Sequence, residues 1–182
     1  EQYESITKKV ETVEGVVAGT PFVLGQAMLS AGRSATGVIV RGIDPDTAAR
    51  VINLQTNLKE GSLNELRPSP DSSGPDSAEG LIIGKELAHF LGVSRGDEIT
   101  MISPTGAMTP VGIVPKMRTF RVKGIFESGM YEYDSSLVFL HLGAAQDFFG
   151  MPARVTGLEV RVEDIYKADQ VSRRISQKLG FP

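Results

Sequence analysis

The chain has no cysteine, no tryptophan and only two histidines among its 182 residues. Without cysteine there is no disulfide framework, no thiolate metal site and no thiol redox centre, although the compartment stays open. His89 and His141 are far apart, and neither has a carboxylate or a second histidine three or four residues further on to complete a metal face. There is no block of lysine and arginine either: 19 basic residues against 22 acidic ones leave a net charge of −3, which argues against a nucleic-acid surface. No stretch approaches the roughly 18 consecutive apolar residues of a membrane helix, and no signal peptide is visible. What remains is an ordinary globular composition, 41% hydrophobic and 23% charged, with enough apolar material for one core or two small ones. The chain begins at Glu1 without a methionine and stops at Phe181-Pro182 after an amphipathic stretch, which suggests a piece of something larger.

Periodicity outlines the elements. Tyr3, Ile6, Val10 and Val13 predict a helix over 2–13, ending before Gly15. Residues 16–29 and 37–43 read as two long strands around the Gly32-Arg33-Ser34 turn, and Asp44-Pro45 opens a helix expected over 45–54. Segment 67–78, rich in proline and serine, reads as a mobile loop. Ile83, Leu87, Phe90 and Leu91 predict a helical stripe capped by Gly92, followed by a strand over 98–102. Strands are expected over 120–126 and 137–142, a short helix over 144–149 closed by Gly150, and a strand through Leu158, Val160 and Val162. Ala168, Val171, Ile175 and Leu179 then form one face of a helix opened by Asp164. The fold class expected is α+β, the two ends packing as one unit around an inserted, strand-rich middle.

Candidate chemistry fails where it is sought. Gly80-Leu-Ile-Ile-Gly84-Lys85-Glu86 has a superficial likeness to a phosphate loop, but its glycines are one residue too close and Glu86 stands where a magnesium-binding hydroxyl belongs. It reads instead as a strand running into a helix. Glu127, Glu132 and Asp134 would supply a carboxylate pair if they shared a cleft; the plainer reading is a turn whose acids face water while Tyr131 and Tyr133 pack beside it. There is no nucleophile elbow, and no serine has a plausible histidine partner.

One segment stands out for its composition. Ser103 to Arg118, SPTGAMTPVGIVPKMR, interrupts two strands with three prolines and with Met108, Val111, Ile113, Val114 and Met117. Prolines limit its conformations and so lower the entropy lost on docking, while methionine adapts to an irregular surface; together they suggest a protein-binding device. A hairpin tip folded back on its own domain, hiding its methionines, has the same composition.

The run IIGKELAHFLGVSRGDEITMISP, followed by TPVGIVPKMRTFRVKGIFESGMYEYDSSLVFLHLGAAQ, resembles the periplasmic domain of LolC/LolE-family permeases of the lipoprotein-releasing ABC transporter. VVAGTPFVLGQAML and GVIVRGIDPD resemble that family's earlier strands, so the likeness covers most of the chain. The resemblance implies a domain set between the first two of four membrane spans, on the periplasmic side of the inner membrane of a Gram-negative bacterium. It implies a MacB-like fold, with a porter-like subdomain from 1–43 plus 153–182 and a Sabre-like subdomain, 44–152, carrying a protruding hook at 103–118.

In the family the hook enters the cavity of a LolA-type carrier, and its TPxGxxP core corresponds to Thr109, Pro110, Val111, Gly112, Ile113, Val114 and Pro115, with Met108 before it. The LolE-type subunit lacks this pattern, so the chain resembles the hook-bearing LolC type. Arg118 matches a basic position of a docking pad beneath the hook, while Met117 departs from the polar residue often found before it. Other implied partners are a second permease subunit, a LolD-type ATPase that performs the hydrolysis, and a lipoprotein; no cofactor, metal or catalytic residue is implied. Two other readings compete: a MacB-type efflux permease domain that meets an adaptor, and a stand-alone enzyme using the three acids above.

Overall fold

The computed structural model describes residues 2–68, 78–104, 107–109 and 112–180. Most of the expected mobile loop (69–77), together with Pro110 and Val111, lies outside them.

Helix α1 (Gln2–Glu11) is followed by the long strand β1 (Val16–Ala31), which turns through Gly32 into β2 (Ser34–Ile43). Gly32 has φ 56°, the left-handed conformation that a tight reversal requires and that glycine adopts without strain. The helix expected over 45–54 is only one turn, α2 (Pro45–Ala48), capped by the Asp44 carboxylate and followed by a second turn, α3 (Leu54–Asn57). The β-branched pair Val51-Ile52 separates them, with low helix propensity. Strand β3 (Leu58–Glu60) and a 3-10 turn (Leu63–Leu66) lead to β4 (Glu79–Gly84) and α4 (Lys85–Leu91). Ile83 thus belongs to the strand rather than to the helical stripe, and Phe90 is 61% exposed. A short apolar run buried on both faces of a sheet cannot be told from a helix by periodicity alone.

Next come β5 (Glu98–Ile102), β6 (Ala107–Thr109), β7 (Gly112–Val114) and β8 (Met117–Phe126). Helix α5 (Tyr131–Ser136), β9 (Leu137–His141), α6 (Leu142–Phe149) and β10 (Gly157–Val162) follow. A 3-10 turn (Ile165–Lys167), capped by Asp164, opens into α7 (Ala168–Leu179), whose expected inward face includes the buried Val171. Among the described residues no helix is long and apolar enough to cross a membrane.

Eight strands form one sheet in the order β10-β1-β2-β9-β4-β8-β3, with β5 pairing both β1 and β8. Because β5 bridges those two, β1, β2, β9, β4, β8 and β5 close into a ring, leaving β10 and β3 as short extensions. Every ring strand contributes to the main core, which includes Leu29, Val40, Leu81, Met101, Phe120 and Leu140 and is completed by side chains from α4 and α6. A second cluster, around Ile43, Leu54, Leu66, Ile82, Phe126 and Phe139, lies under α2, α3 and the first 3-10 turn. Neighbours such as Ile82 and Ile83 enter different clusters because successive strand side chains point to opposite faces.

Candidate functional site: the β6–β7 hairpin

Strands β5 and β8 form a stem whose last register pair is Ile102 with Met117. One further rung follows, in which the Ser103 N–H donates to the Lys116 carbonyl at 2.8 Å. Pro104 and Pro115 come next; proline has no N–H, so neither can donate to the ladder. Pairing resumes as a separate two-stranded sheet, β6 with β7, in the register Ala107 to Val114, Met108 to Ile113 and Thr109 to Gly112. Between the Ser103–Lys116 rung and the Ala107–Val114 pair the chain has three residues on one side and one, Pro115, on the other, so the two ladders are not continuous. Gly112, the first residue of β7, has φ 117°, a conformation that a side chain disfavours.

Of the candidate carrier-binding residues, Met108, Thr109, Gly112 and Ile113 are placed by this backbone pairing, and Val114 and Pro115 are exposed. Met117 is 62% exposed at the start of β8. Arg118 lies at the foot of the hairpin, in an ion pair with Glu79 at 3.0 Å and with its guanidinium 5.7 Å from the Phe120 ring centre. Beside the foot is a groove of about 440 Å³ with Met28, Val38, Ile39, Ile102 and Pro104 in its walls.

The three acids form no catalytic pair. Glu127 lies 2.8 Å from Lys85 and 3.2 Å from Lys59. These lysines, Lys85 foremost through its hydrogen bond, hold the Glu127 carboxyl below the usual range, and Glu127 in turn raises Lys85. Asp134 is buried and accepts hydrogen bonds from the Ser128 N–H and Oγ at 2.7 Å each and from the Gly129 N–H at 3.3 Å. Glu132 is exposed on α5. The turn expected to present acids to water therefore does the reverse at Asp134, which ties its own loop closed, and Tyr131 and Tyr133 stand exposed at 69% and 49%. His141 caps α6, its Nδ1 accepting from the Gly143 N–H, while His89 is exposed. Among the described residues no three His, Asp or Glu side chains are placed to hold a metal ion.

Residues 1–178 match the family model of the MacB-like periplasmic core domain, and the chain belongs to that family. It is 30% identical over 162 residues to the lipoprotein-releasing system transmembrane protein LolC of Neisseria meningitidis serogroup B, covering 89% of this chain and 37% of that protein. LolC of Xylella fastidiosa is 32% identical over 167 residues, covering 92% of this chain and 38% of that protein. The chain thus spans under two-fifths of the length of these relatives, and the likeness supports a periplasmic domain of the LolC/LolE permease family.

Among solved structures, the extracellular domain of the ABC-type transporter YknZ from Gram-positive bacteria superposes with a TM-score of 0.62 at 15% identity, covering 98% of this chain and 84% of that one. The periplasmic region of MacB from Actinobacillus actinomycetemcomitans gives 0.58 at 13% identity, covering 98% and 74%. These two define the fold alone.

Sequence reasoning missed the roles of Lys116 and Asp134. Lys116 donates from Nζ to the Asp147 carbonyl at the end of α6 and lies 5.9 Å from the Phe148 ring centre. Only its place directly after Pro115 could have drawn attention to it.

Proposed function

We propose that this chain is the periplasmic portion of an inner-membrane ABC-transporter permease that releases lipoproteins, and that the β6–β7 hairpin recruits a LolA-type carrier. The observation that carries the reading is a two-stranded sheet separate from the eight-stranded one, set off from its stem where Pro104 and Pro115 stand and presenting exposed Val114 and Pro115. The similarity to LolC over about nine-tenths of the chain supports it.

On this reading Met108, Pro110, Val111 and Ile113 enter an apolar cavity of the carrier, Arg118 supports its rim, and the second permease subunit and ATPase belong to the same assembly. Burial at about 25 cal/mol per Å² offsets the association cost, and much of the gross energy goes into ordering. Residues 1–43 with 153–182 act as the porter-like unit, a division supported by the pairing of β10 with β1, and 44–152 as the inserted unit.

The test is a titration with the LolA-type carrier of the same organism. Pro110→Asp and a deletion of the hairpin are both expected to abolish binding. Unchanged binding by either would sink the insertion model, and capture of a hexameric adaptor in place of the carrier would favour the MacB-type efflux reading.

A further inference from the structure

We infer that Lys116 is the positioning residue of the hairpin: its ammonium clamps the foot of the hairpin to the end of α6 and so fixes the direction in which β6 and β7 project. Three contacts meet at this residue. Its Nζ donates to the Asp147 carbonyl, which lies in the last turn of α6. The carbonyls of a helix's last turn carry partial negative charge, which favours a cation there, and the Asp147 carbonyl accepts from the Gly150 N–H at 3.4 Å as well. The same ammonium stands 5.9 Å from the centre of the Phe148 ring, which attracts it through its quadrupole. The Lys116 carbonyl accepts from the Ser103 N–H at 2.8 Å, so the opposite strand is tied to the same point.

The anchor itself is rigid. A β-carbon on Gly42 of β2 would lie 2.4 Å from the Ala145 β-carbon, and one on Gly25 of β1 would lie 2.5 Å from the Phe149 ring. Both glycines are sockets into which α6 is pressed, and Phe148 is 1% exposed in the main core. Beyond the clamp, Pro104 and Pro115 supply no donor to the ladder, so among the described residues the Lys116 contacts resist swinging of the hairpin as a body. A hairpin held in one direction loses less entropy on docking. That consequence for binding rests on the carrier-engaging reading above, whereas the clamp does not.

The absence of native cysteine makes a two-label measurement clean. Spin labels on Thr109→Cys in the hairpin and Ser94→Cys in the body give an inter-label distance distribution. Lys116→Gln is expected to widen that distribution and weaken carrier binding about fivefold, with the unfolding midpoint unchanged because the side chain is exposed. Lys116→Arg is expected to restore both, since a guanidinium can donate to the same carbonyl and stack on the same ring. An unchanged distribution in Lys116→Gln overturns the clamp, whether or not affinity falls; a fall alone would mean that Lys116 touches the carrier directly. If the distribution widens while deletion of the hairpin leaves carrier binding intact, the clamp stands and the carrier reading fails.

Discussion

A β-carbon on Gly84 would lie 2.1 Å from the carbonyl oxygen of Asp134. The end of β4 and the second half of α5 are therefore in backbone contact, and the requirement for glycine is one of space, since its φ of −69° suits any residue. Gly84→Ala forces the two elements apart where Asp134 is also buried, and is expected to destabilise the domain by about 2–3 kcal/mol. Chemical denaturation monitored by circular dichroism measures it; a loss under about 0.5 kcal/mol, the range of a neutral surface change, would contradict the contact.

Asp134 itself closes the 128–134 loop through the Ser128 and Gly129 donors. Asp134→Ala leaves those donors without an acceptor and is expected to cost about 2–3 kcal/mol, whereas Asp134→Asn, which keeps one acceptor oxygen, should cost roughly half as much. Equal losses in the two variants would mean that the side chain acts through volume rather than through its hydrogen bonds.

Glu127 predicts a pH dependence with a definite sign. Its folded-state pKa lies below the ordinary 4.5, first through the hydrogen bond from Lys85 and then through Lys59. The contribution is therefore present above the unfolded value and disappears as pH falls through the depressed folded one. Lys85 is raised above 10.5, so its share is present below that value and is lost as pH climbs through the raised one. The stability gap between the native chain and Glu127→Gln should be level from about pH 6 to 9, close in acid and narrow in strong alkali. Denaturant midpoints across that range give the curve, and a gap that persists at about pH 2 would refute the assignment.

Gly112 predicts a local effect without a global one. At φ 117° an alanine is strained by about 1–3 kcal/mol, and of the described hairpin side chains Val114 and Pro115 are exposed and belong to neither hydrophobic cluster. Gly112→Ala should speed amide exchange in β6 and β7 and weaken carrier binding, while the unfolding midpoint stays put. A lowered midpoint would show that the hairpin is coupled to the core.

The sequence by itself determined the local elements wherever one signal dominated. Asp44-Pro45 announced a helix start and Gly92 and Gly150 helix ends, because capping is a matter of a few adjacent residues. The alternation in β8 and the face of α7 through Val171 were legible for the same reason, and the hairpin segment was marked by its prolines. Tertiary structure decided the rest. That β5 joins β1 to β8 and closes the ring depends on residues about seventy apart in sequence, as in the pairing of Ser30 with Thr100, and no local pattern encodes such a partner. Ile83 looked helical because a strand buried on both faces has no alternation to read. Asp134 looked like a surface acid because its burial depends on Ser128 and Gly129 turning back to meet it. Lys116 looked like any exposed lysine until folding carried the end of α6 to within reach of its ammonium.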